Sequence, residues 1–443
     1  MRILLVGGGG REHALARKIS ASPLLTKLLL WPGNPLSRRV APAMDLAPNA
    51  THGELAEACR AHRIDAVVCG PEQPLADGLA DALEAAGFPV FGPRAAAAAL
   101  ESSKHFAKDV MTAAGVPTAR HATVTSLEAC RAAAQGFMRD GAPAVIKASG
   151  LAAGKGVFVC HTCQDLDAAL ARLATPAMRK SADTIVVEEF LVGRECSYFV
   201  FLGEAAPVRL GFAVDYKRLT DGDAGPNTGG MGCYAPVPWL PETAGDDVDR
   251  LVVRPLLAEL ARRQISYRGC LYVGLMWSVA GPRVVEFNVR LGDPEAEVLS
   301  LQDDRDWLAM MMRQVGRLPA STVVPPLDER RRAVTVILAS AGYPYGERPE
   351  TPVEIGGDLL SDGKPSRDLG PLAAGPVVFG ASVRAAGGSD VQGNVMTGSG
   401  RVFAVTAAGS SFEAARALAY TRVAEISARW PECQYRRDIG AGI

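Results

Sequence analysis

The sequence predicts a multidomain α/β protein that opens with a doubly wound domain. At 443 residues the chain is too long for one hydrophobic core. The apolar run at residues 2–6 enters a glycine turn, after which apolar positions recur at helical spacing. Residues 64–87 repeat the order of strand, turn and amphipathic helix. Alternation of this kind is typical of a parallel sheet with helices on its faces.

The glycine turn at residues 7–10 favours an anion site at the N-terminus of the first helix. A dinucleotide fold needs a third glycine where Glu12 stands and an acidic residue where Trp31 and Pro32 end the second strand. The sequence therefore argues against NAD and for a phosphate or another small anion. The second turn, Gly70 to Glu72, has the same design. A short strand and one or two helices bearing Lys104 then lead into a second unit.

Residues 144–160, AVIKASGLAAGKGVFVC, predict a hairpin with a glycine-rich, cationic tip. Backbone N–H groups of such a tip can bind phosphate oxygens. The tip is not a Walker A loop, because its glycines are too close and a strand follows where a helix is needed. An ordinary glycine-rich turn is the alternative. Lys147 argues against it, since a lysine inside an apolar strand needs an anion.

Residues 284–295, VVEFNVRLGDPE, predict a strand with Glu286, Asn288 and Arg290 on one face. Carboxylate and carboxamide oxygens suit Mg²⁺, and Arg290 offers a planar set of donors to a carboxylate or phosphoryl group. A half-buried strand with an exposed salt bridge is the alternative. The six histidines all lie at or before position 161, which argues against a histidine base and favours metal-assisted phosphoryl transfer.

Two further stretches lie between these motifs. Residues 184–202 read as a strand-like run that carries Glu195, whose carboxylate could take ribose hydroxyls. Residues 225–236, GPNTGGMGCYAP, predict a glycine-rich loop near a small ligand or a moving flap, with a plain connection as the alternative. The last unit opens with a strand and closes with a strand and a long amphipathic helix. We predict four units: 1–98, 99–185, 186–325 and 326–443.

The composition of the chain indicates which binding partners and which cellular location to expect. A net charge of −1 argues against nucleic-acid or membrane binding, and the sequence shows neither a secretory signal nor a membrane-spanning run. Nine scattered cysteines suit a reducing cytoplasm, which we expect as the location. Cys160 and Cys163 form a CxxC pair without the second pair that a zinc site requires.

At this point the motifs carry a resemblance over residues 1–440. GGGGREHALA, GPEQPLADG, IKASGLAAGKGV, VVEEFLVGRE, GPNTGGMG, EFNVRLGDPE and the closing YRRDIG resemble the phosphoribosylamine-glycine ligase family, also called glycinamide ribonucleotide synthetases, of the ATP-grasp superfamily. The resemblance implies a Rossmann-like N-terminal domain, a two-part ATP-grasp region and a C-terminal α+β domain. It implies ATP-dependent joining of glycine to 5-phosphoribosylamine through a glycyl phosphate, in purine synthesis.

The resemblance also implies roles for individual residues. ATP would be bound by Lys104, Lys147, Gly154, Lys155, Gly156, Glu188, Glu189, Phe190, Leu191 and Glu195. Magnesium or manganese would be held by Glu286 and Asn288. Catalytic positions would be Asp215, Lys217, Arg290 and Asp293. The other substrate would contact Gly9, Gly10, Arg11, Glu12, Asn34, Glu72, Asn227, Thr228, Gly229 and Gly230.

The chain departs from the family pattern near the predicted acceptor site and phosphate loop. Ser149 stands where the family has aspartate, Val214 and Tyr216 replace glutamine and histidine, and Gly380 replaces histidine. The segment from Pro35 to Arg39 is bulkier and more basic than usual. These changes leave open a paralogue that ligates another amine or small amino acid, and a non-catalytic nucleotide-binding protein is a third hypothesis. We expect small-molecule substrates and a monomer or homodimer.

Overall fold

The computed structural model describes residues 1–150, 156–179, 183–346, 352–357, 359–360, 375–386 and 394–443. The strands are β1 Arg2–Gly7, β2 Lys27–Pro32, β3 Ala66–Cys69, β4 Val90–Phe91, β5 His121–Val124, β6 Ala144–Ala148, β7 Val157–Cys160, β8 Ile185–Glu189, β9 Arg194–Leu202, β10 Val208–Asp215, β11 Arg218–Thr220, β12 Ala224–Asn227, β13 Gly232–Ala235, β14 Gly269–Ser278, β15 Gly281–Asn288, β16 Arg332–Ala339, β17 Glu354–Ile355, β18 Val377–Gly380, β19 Val383–Ala385, β20 Val395–Thr397 and β21 Arg401–Gly409.

The helices alternate with these strands in the first third of the chain and are more widely spaced afterwards. They are α1 Gly10–Ser20, α2 Ser37–Val40, α3 His52–Ala61, α4 Glu72–Ala76, α5 Leu79–Ala85, α6 Ala95–Ser102, α7 Lys104–Ala114, α8 Leu127–Phe137, α9 Cys163–Leu173, α10 Pro176–Arg179, α11 Ala244–Val248, α12 Arg254–Arg262, α13 Glu295–Gln302, α14 Trp307–Gln314 and α15 Phe412–Arg429. Among the described residues, no helix has the length and apolar character needed to cross a membrane.

The N-terminal unit is a parallel sheet in the order β2-β1-β3-β4. Strand β1 is buried on both faces: Leu4 and Val6 pack into one core cluster, Ile3 and Leu5 into another. That double burial is why its sequence is continuously apolar rather than alternating. The predicted doubly wound domain is confirmed, with the glycine turn leading from β1 into α1.

The predicted hairpin is also confirmed, since β6 and β7 pair antiparallel with Lys147 opposite Val157. They belong to a four-stranded sheet in the order β5-β8-β6-β7. Strand β8 spans the predicted boundary at residue 185. Its Glu188 lies opposite Val145 on β6, so the end of β8 carries side chains to the same face as the hairpin.

An eight-stranded sheet in the order β15-β14-β9-β10-β13-β16-β21-β18 runs through the centre of the protein. It crosses the predicted boundary at residue 325, because β13 pairs with β16 from Gly232 opposite Val336 to Ala235 opposite Ala333. Helix α13 packs between this sheet and α1, and all its residues are buried. The division into four units stays a prediction, because two of its boundaries fall within or between paired strands.

Two local predictions were wrong. The helix expected after Glu72 is broken into α4 and α5, because Gly78 between them adopts a left-handed backbone with φ of +85°. The stretch 225–236 is only partly loop: β12 and β13 take up its ends and leave 228–231 as the connection. Pairing of β12 with β11 and of β13 with β10 and β16 supplies the hydrogen bonds.

Candidate active site

A cavity of about 500 Å³ lies between the sheet β5-β8-β6-β7 and the eight-stranded sheet. Both strands predicted to carry the chemistry open into it: Lys147 from β6 and Glu286 from β15 line the same space. Apolar side chains line it together with charged ones. Among the lining residues are Met111, Val145, Val159, Leu191 and Met276, which can pack against a flat ring system.

Lys147 occupies the centre of a buried charge network. Its Nζ donates to Val285 O at 3.0 Å and pairs with Glu188 Oε2 at 3.0 Å, and Lys108 Nζ lies 3.1 Å from Glu188 Oε1. All three side chains are at least 95% buried. Burial lowers the pKa of Lys108 to about 8, although Glu188 opposes the shift. Two lysines around one carboxylate leave a net positive charge for a polyanion.

Glu286, Asn288 and Arg290 lie together, as predicted from strand alternation. Asn288 Nδ2 donates to Glu286 Oε1 at 3.5 Å, and Arg290 Nη2 donates to Asn288 Oδ1 at 3.2 Å. Burial alone would raise the pKa of Glu286, but Lys217, Lys147 and Lys104 lower it. Glu286 is therefore an anion that faces three ammonium groups, an arrangement suited to a metal–phosphate complex.

The donor set fits Mg²⁺ or Mn²⁺ only as a partial shell. Glu286 and Asn288 supply two oxygens, and the described residues contain no group of three His, Cys, Asp or Glu that could hold a metal alone. Magnesium commonly takes one or two protein oxygens and completes its shell with water and substrate phosphates. The residues therefore fit a metal that arrives with a nucleotide.

Arg290 is held from two directions. Its Nη2 lies 2.6 Å from Glu101 Oε1 and its Nε lies 3.2 Å from Glu72 Oε2, while Glu101 Oε2 accepts from Val289 N at 2.8 Å. Arg11 reaches the same place, with Nη2 at 3.8 Å from Glu72 Oε2. The N-terminal domain thus supplies Arg11 and Glu72 to the cavity and fixes the orientation of Arg290.

A second cluster of charges surrounds Lys217. Its Nζ forms an ion pair with Glu195 Oε1. Burial lowers the pKa of Lys217, but Glu195, Tyr272, Glu286 and Asp215 outweigh that and raise it. Burial, reinforced by Glu295, raises the pKa of Asp215 well above its usual value. The cluster combines a fixed cation with a carboxyl group that holds a proton readily.

Most of the predicted site residues line the cavity. They are Arg11, Glu72, Lys104, Lys147, Gly156, Glu188, Glu189, Phe190, Leu191, Glu195, Asp215, Lys217, Asn227, Thr228, Gly229, Glu286, Asn288, Arg290 and Asp293. Gly154 and Lys155 lie outside the described residues. Placement next to the cavity leaves each individual role a prediction.

Five predicted substrate residues are absent from the described lining. Gly9 and Gly10 lie close to Asp293, and Gly230 packs against Asp215. An added Cβ at Gly230 would meet Asp215 Oδ1 at 2.5 Å. Glu12 is bonded to Gly9 N and Arg11 Nε. Asn34 donates to Gly8 O and Gly380 O, both at 2.8 Å, and accepts from Leu36 N and Ser37 N. Glu12 and Asn34 thus brace the turns of the N-terminal domain.

Five charged or polar lining residues were missed from the sequence: Glu101, Lys108, Tyr272, Glu295 and Arg401. Lys108 lies four residues after Lys104, a spacing that puts both on one face of α7 and could have been recognised. Glu295 lies two residues after Asp293 in the same motif. Glu101 and Arg401 come from segments without a motif that we recognised, and only tertiary packing brings them to the site.

Ser149, where the resemblance expects aspartate, supports the N-terminus of α7. Its Oγ accepts from His105 N at 3.1 Å and its carbonyl accepts from Lys104 N at 3.0 Å. Both are N–H groups that a helix start leaves without an internal partner. A serine oxygen performs the same capping as a carboxylate, so the departure preserves the position of Lys104.

We expect Ser149→Ala to lower the free energy of unfolding by about 1 kcal/mol, because one helix-end N–H loses its acceptor. Ser149→Asp restores an acceptor and adds a negative charge at the helix N-terminus, so it should be at least as stable as the parent. Urea denaturation of the three proteins measures the difference. Equal stability of the alanine variant and the parent would contradict this role.

The other departures also lie away from the cavity in the described part of the chain. Val214 and Tyr216 flank Asp215, and Tyr216 OH accepts from Gly440 N at 3.1 Å while its ring packs under Arg436. A Cβ at Gly380 would lie 2.7 Å from Leu36 Cδ1. Leu36 therefore occupies the space that a larger residue at 380 would need. None of these three residues lines the cavity, and the expectation that these changes face the second substrate stays a prediction.

His13 sits behind Gly380, whose N–H donates to His13 Nδ1 at 3.0 Å. Burial, with Arg17 and Arg39 nearby, lowers the pKa of His13 from 6.5 to about 3. Below pH 6.5 the His13 imidazole binds a proton in the unfolded chain but stays neutral in the folded protein. This histidine should therefore cost about 2 kcal/mol of stability at pH 5 relative to pH 7. His13→Asn keeps an acceptor for Gly380, and urea midpoints at both pH values should show a smaller loss in that variant.

Comparisons with known proteins agree over nearly the whole chain. Residues 1–101 match the N domain of phosphoribosylglycinamide synthetase, residues 102–296 its ATP-grasp (A) domain and residues 333–442 its C domain. Phosphoribosylamine–glycine ligase from Rhizobium meliloti is 39% identical over 441 residues, covering 99% of this chain and 98% of the relative. The ligase from Streptomyces coelicolor is 41% identical over 444 residues, covering 100% and 99%.

Solved structures give the same picture. A crystal structure of phosphoribosylamine–glycine ligase from Thermotoga maritima superposes with a TM-score of 0.79 and 29% identity, covering 99% of this chain and all of that one. The biotin carboxylase domain of the Hydrogenobacter thermophilus 2-oxoglutarate carboxylase superposes with a TM-score of 0.68 at 15% identity, covering 98% and 90%. The second likeness concerns the fold alone.

Proposed function

The chain belongs to the phosphoribosylglycinamide synthetase family of ATP-grasp ligases, and on that premise we propose how its site joins glycine to 5-phosphoribosylamine. The reaction consumes ATP and yields glycinamide ribonucleotide, ADP and phosphate, a step of purine biosynthesis. It is a carboxylate–amine ligation that passes through glycyl phosphate. The observation that carries the proposal is the shared cavity of Lys147 and Glu286.

The nucleotide end of the site is proposed at Lys104, Lys147 and the end of β8. Lys147, with Lys108 behind it, supplies positive charge against the phosphates, and the apolar lining accepts the base. Glu188 to Leu191 would read the base edge and Glu195 would bind the ribose. Glu286 and Asn288 would hold Mg²⁺ or Mn²⁺, which neutralises phosphate charge when bound. Gly156 would lie against the phosphates.

The acceptor end is proposed around Asp215, Lys217, Arg290 and Asp293. Glycine's carboxylate attacks the γ-phosphate, and the amine then attacks the acyl carbon, which releases phosphate. Cations at this end offset the charge of the acyl phosphate, and carboxylates receive the amine. Because water would hydrolyse the acyl phosphate, the residues that close the cavity matter as much as those that bind.

Two of the departures from the family pattern have a structural explanation: Ser149 caps α7, and Leu36 fills the space beside Gly380. Ser149, Val214, Tyr216 and Gly380 are described residues that do not line the cavity, and neither does the segment 35–39. The second hypothesis, a ligase for a different amine, is tested by the choice of amine in the assay that follows.

ADP release tests the proposal directly. The purified protein is assayed with ATP, Mg²⁺ and glycine, with and without phosphoribosylamine formed in situ from ribose 5-phosphate and ammonia. We expect ADP and glycinamide ribonucleotide in equal amounts when all substrates are present. ADP only with another amine would support a different acceptor, and no ADP under any condition would leave a non-catalytic nucleotide-binding protein. Size-exclusion chromatography with light scattering distinguishes the two expected states, a monomer and a homodimer.

A further inference from the structure

Arg401 reaches the cavity from the C-terminal part of the chain. It is the first residue of β21 and follows Gly400, which has a φ of +83°. Gly400 N donates to Ser340 Oγ at 2.8 Å, and Ser340 N donates to Gly400 O at 2.8 Å. This two-way bond fixes the turn, so that the Arg401 side chain points away from the C-terminal sheet and into the site.

The guanidinium of Arg401 joins two predicted parts of the acceptor end. Nη2 pairs with Asp293 Oδ1 at 3.1 Å, and Nη1 donates to Asp293 O at 2.5 Å. Nη1 also donates to Gly229 O and, at 3.5 Å, to Gly230 O. Tyr343 OH accepts from Gly229 N at 2.7 Å. The loop after β12 is thus attached to the GDPE motif through one planar group.

Asp293 is in turn oriented toward the N-terminal domain. While Oδ1 faces Arg401, Oδ2 lies 3.8 Å and 3.7 Å from the positions that a Cβ would take on Gly9 and Gly10. Glu297, one turn along α13, is fully buried against Gly10, and neither of its oxygens has a hydrogen-bond partner among the described residues. Arg401 is a cation that faces Asp293, Glu297 and Asp215 together.

We propose that Arg401 is a positioning residue for amide formation: it holds Asp293 and the 229–230 carbonyls so that the amine meets the acyl phosphate in a cavity closed to water. The inference rests on the proposed function. In the step served, the amine nitrogen bonds to the acyl carbon as the bond from that carbon to the phosphate oxygen breaks. Phosphate leaves with the electron pair, and the proton lost by the amine leaves with it.

This role predicts a specific defect. Arg401 contacts none of the residues proposed to bind the nucleotide and the metal, so glycyl phosphate should still form without it. Transfer to the amine should fail, and water should intercept the intermediate. A merely structural role would instead lower every activity in proportion.

Arg401→Lys keeps the positive charge but loses the planar set of N–H donors that the guanidinium provides. Arg401→Ala removes both the charge and the donors. Arg330→Met is the matched control, because Arg330 is exposed and, among the described residues, pairs with Asp328 alone. Each protein is assayed for ADP, glycinamide ribonucleotide and, with hydroxylamine added, glycine hydroxamate.

For Arg401→Lys we expect KM for the amine to rise at least ~10-fold and KM for ATP to stay within about twofold. Its ratio of ADP to product should rise several-fold above one, with the hydroxamate yield retained.

Guanidinium ion supplied to Arg401→Ala should restore part of the coupling, an effect that Arg330→Met should not show. Coupling and amine KM equal to the parent in both Arg401 variants would overturn the inference. So would a uniform loss of hydroxamate and product that guanidinium does not relieve. If Arg401→Ala does not fold, the results for Arg401→Lys decide the test. A parent enzyme that forms neither hydroxamate nor product would instead overturn the proposed function.

Discussion

Replacing Glu286 by glutamine should lower kcat at least ~100-fold while the protein stays folded. Glutamine keeps the shape of the side chain and removes the charge that a divalent cation requires. The three lysines around Glu286 limit the structural cost, because Lys147 retains Glu188 and Lys217 retains Glu195 as partners. We therefore expect a thermal midpoint within a few degrees of the parent.

The measurement pairs turnover with metal binding. Mn²⁺ titrated in the presence of ADP and followed by electron paramagnetic resonance should bind the parent and bind Glu286→Gln much more weakly. Glu57→Gln, an exposed position on α3, is the matched control and should change neither property. Parental turnover in Glu286→Gln would remove this residue from the mechanism.

Replacing Lys147 by methionine should raise KM for ATP at least ~10-fold and lower kcat/KM by two to three orders of magnitude. Methionine matches the apolar stem of lysine but lacks the terminal ammonium, so the buried stem stays packed. The lost ammonium is the one that links Glu188 to the main chain of β15. Glu188 keeps Lys108, so we expect the sheet around it to remain folded.

The control for this second prediction is Lys27→Met, at the exposed start of β2. Nucleotide affinity measured by isothermal titration with a non-hydrolysable ATP analogue separates binding from chemistry. Weak analogue binding by Lys147→Met, with a parental circular dichroism spectrum, is the expected result. Unchanged affinity would place the lysine outside the phosphate contacts.

The fold could be predicted where local pattern decides structure. Strand β1 and helix α1 follow from an apolar run, a glycine turn and helical spacing, and β6 and β7 from two β-branched runs around a loop. The pairing of β13 with β16 could not, because the two strands lie about a hundred residues apart and only long-range packing selects their register. Antiparallel partners at such distance carry no local signal.

The site was predictable to the extent that motifs carry it. Lys147 was predicted because a charge inside an apolar strand demands a partner, and Glu286 and Asn288 because strand alternation puts their oxygens on one face. Arg401 and Glu101 were missed because their partners, Asp293 and Arg290, come from distant segments. Val214 precedes Asp215 on β10, and neighbours of a strand residue that faces a cavity point the other way, so strand alternation could have indicated that Val214 does not line it.

The pairing of β13 with β16 bears on how this enzyme can be divided for engineering. A split-protein reporter cut near residue 325 would leave an open strand edge on each fragment, a surface that invites self-association. The same two edges are complementary, so co-expressed fragments should reassemble by pairing β13 with β16 more readily than through side-chain contacts alone. A cut in the connection between β20 and β21 would keep β13 and β16 in one fragment but would separate β21 from its partners β16 and β18.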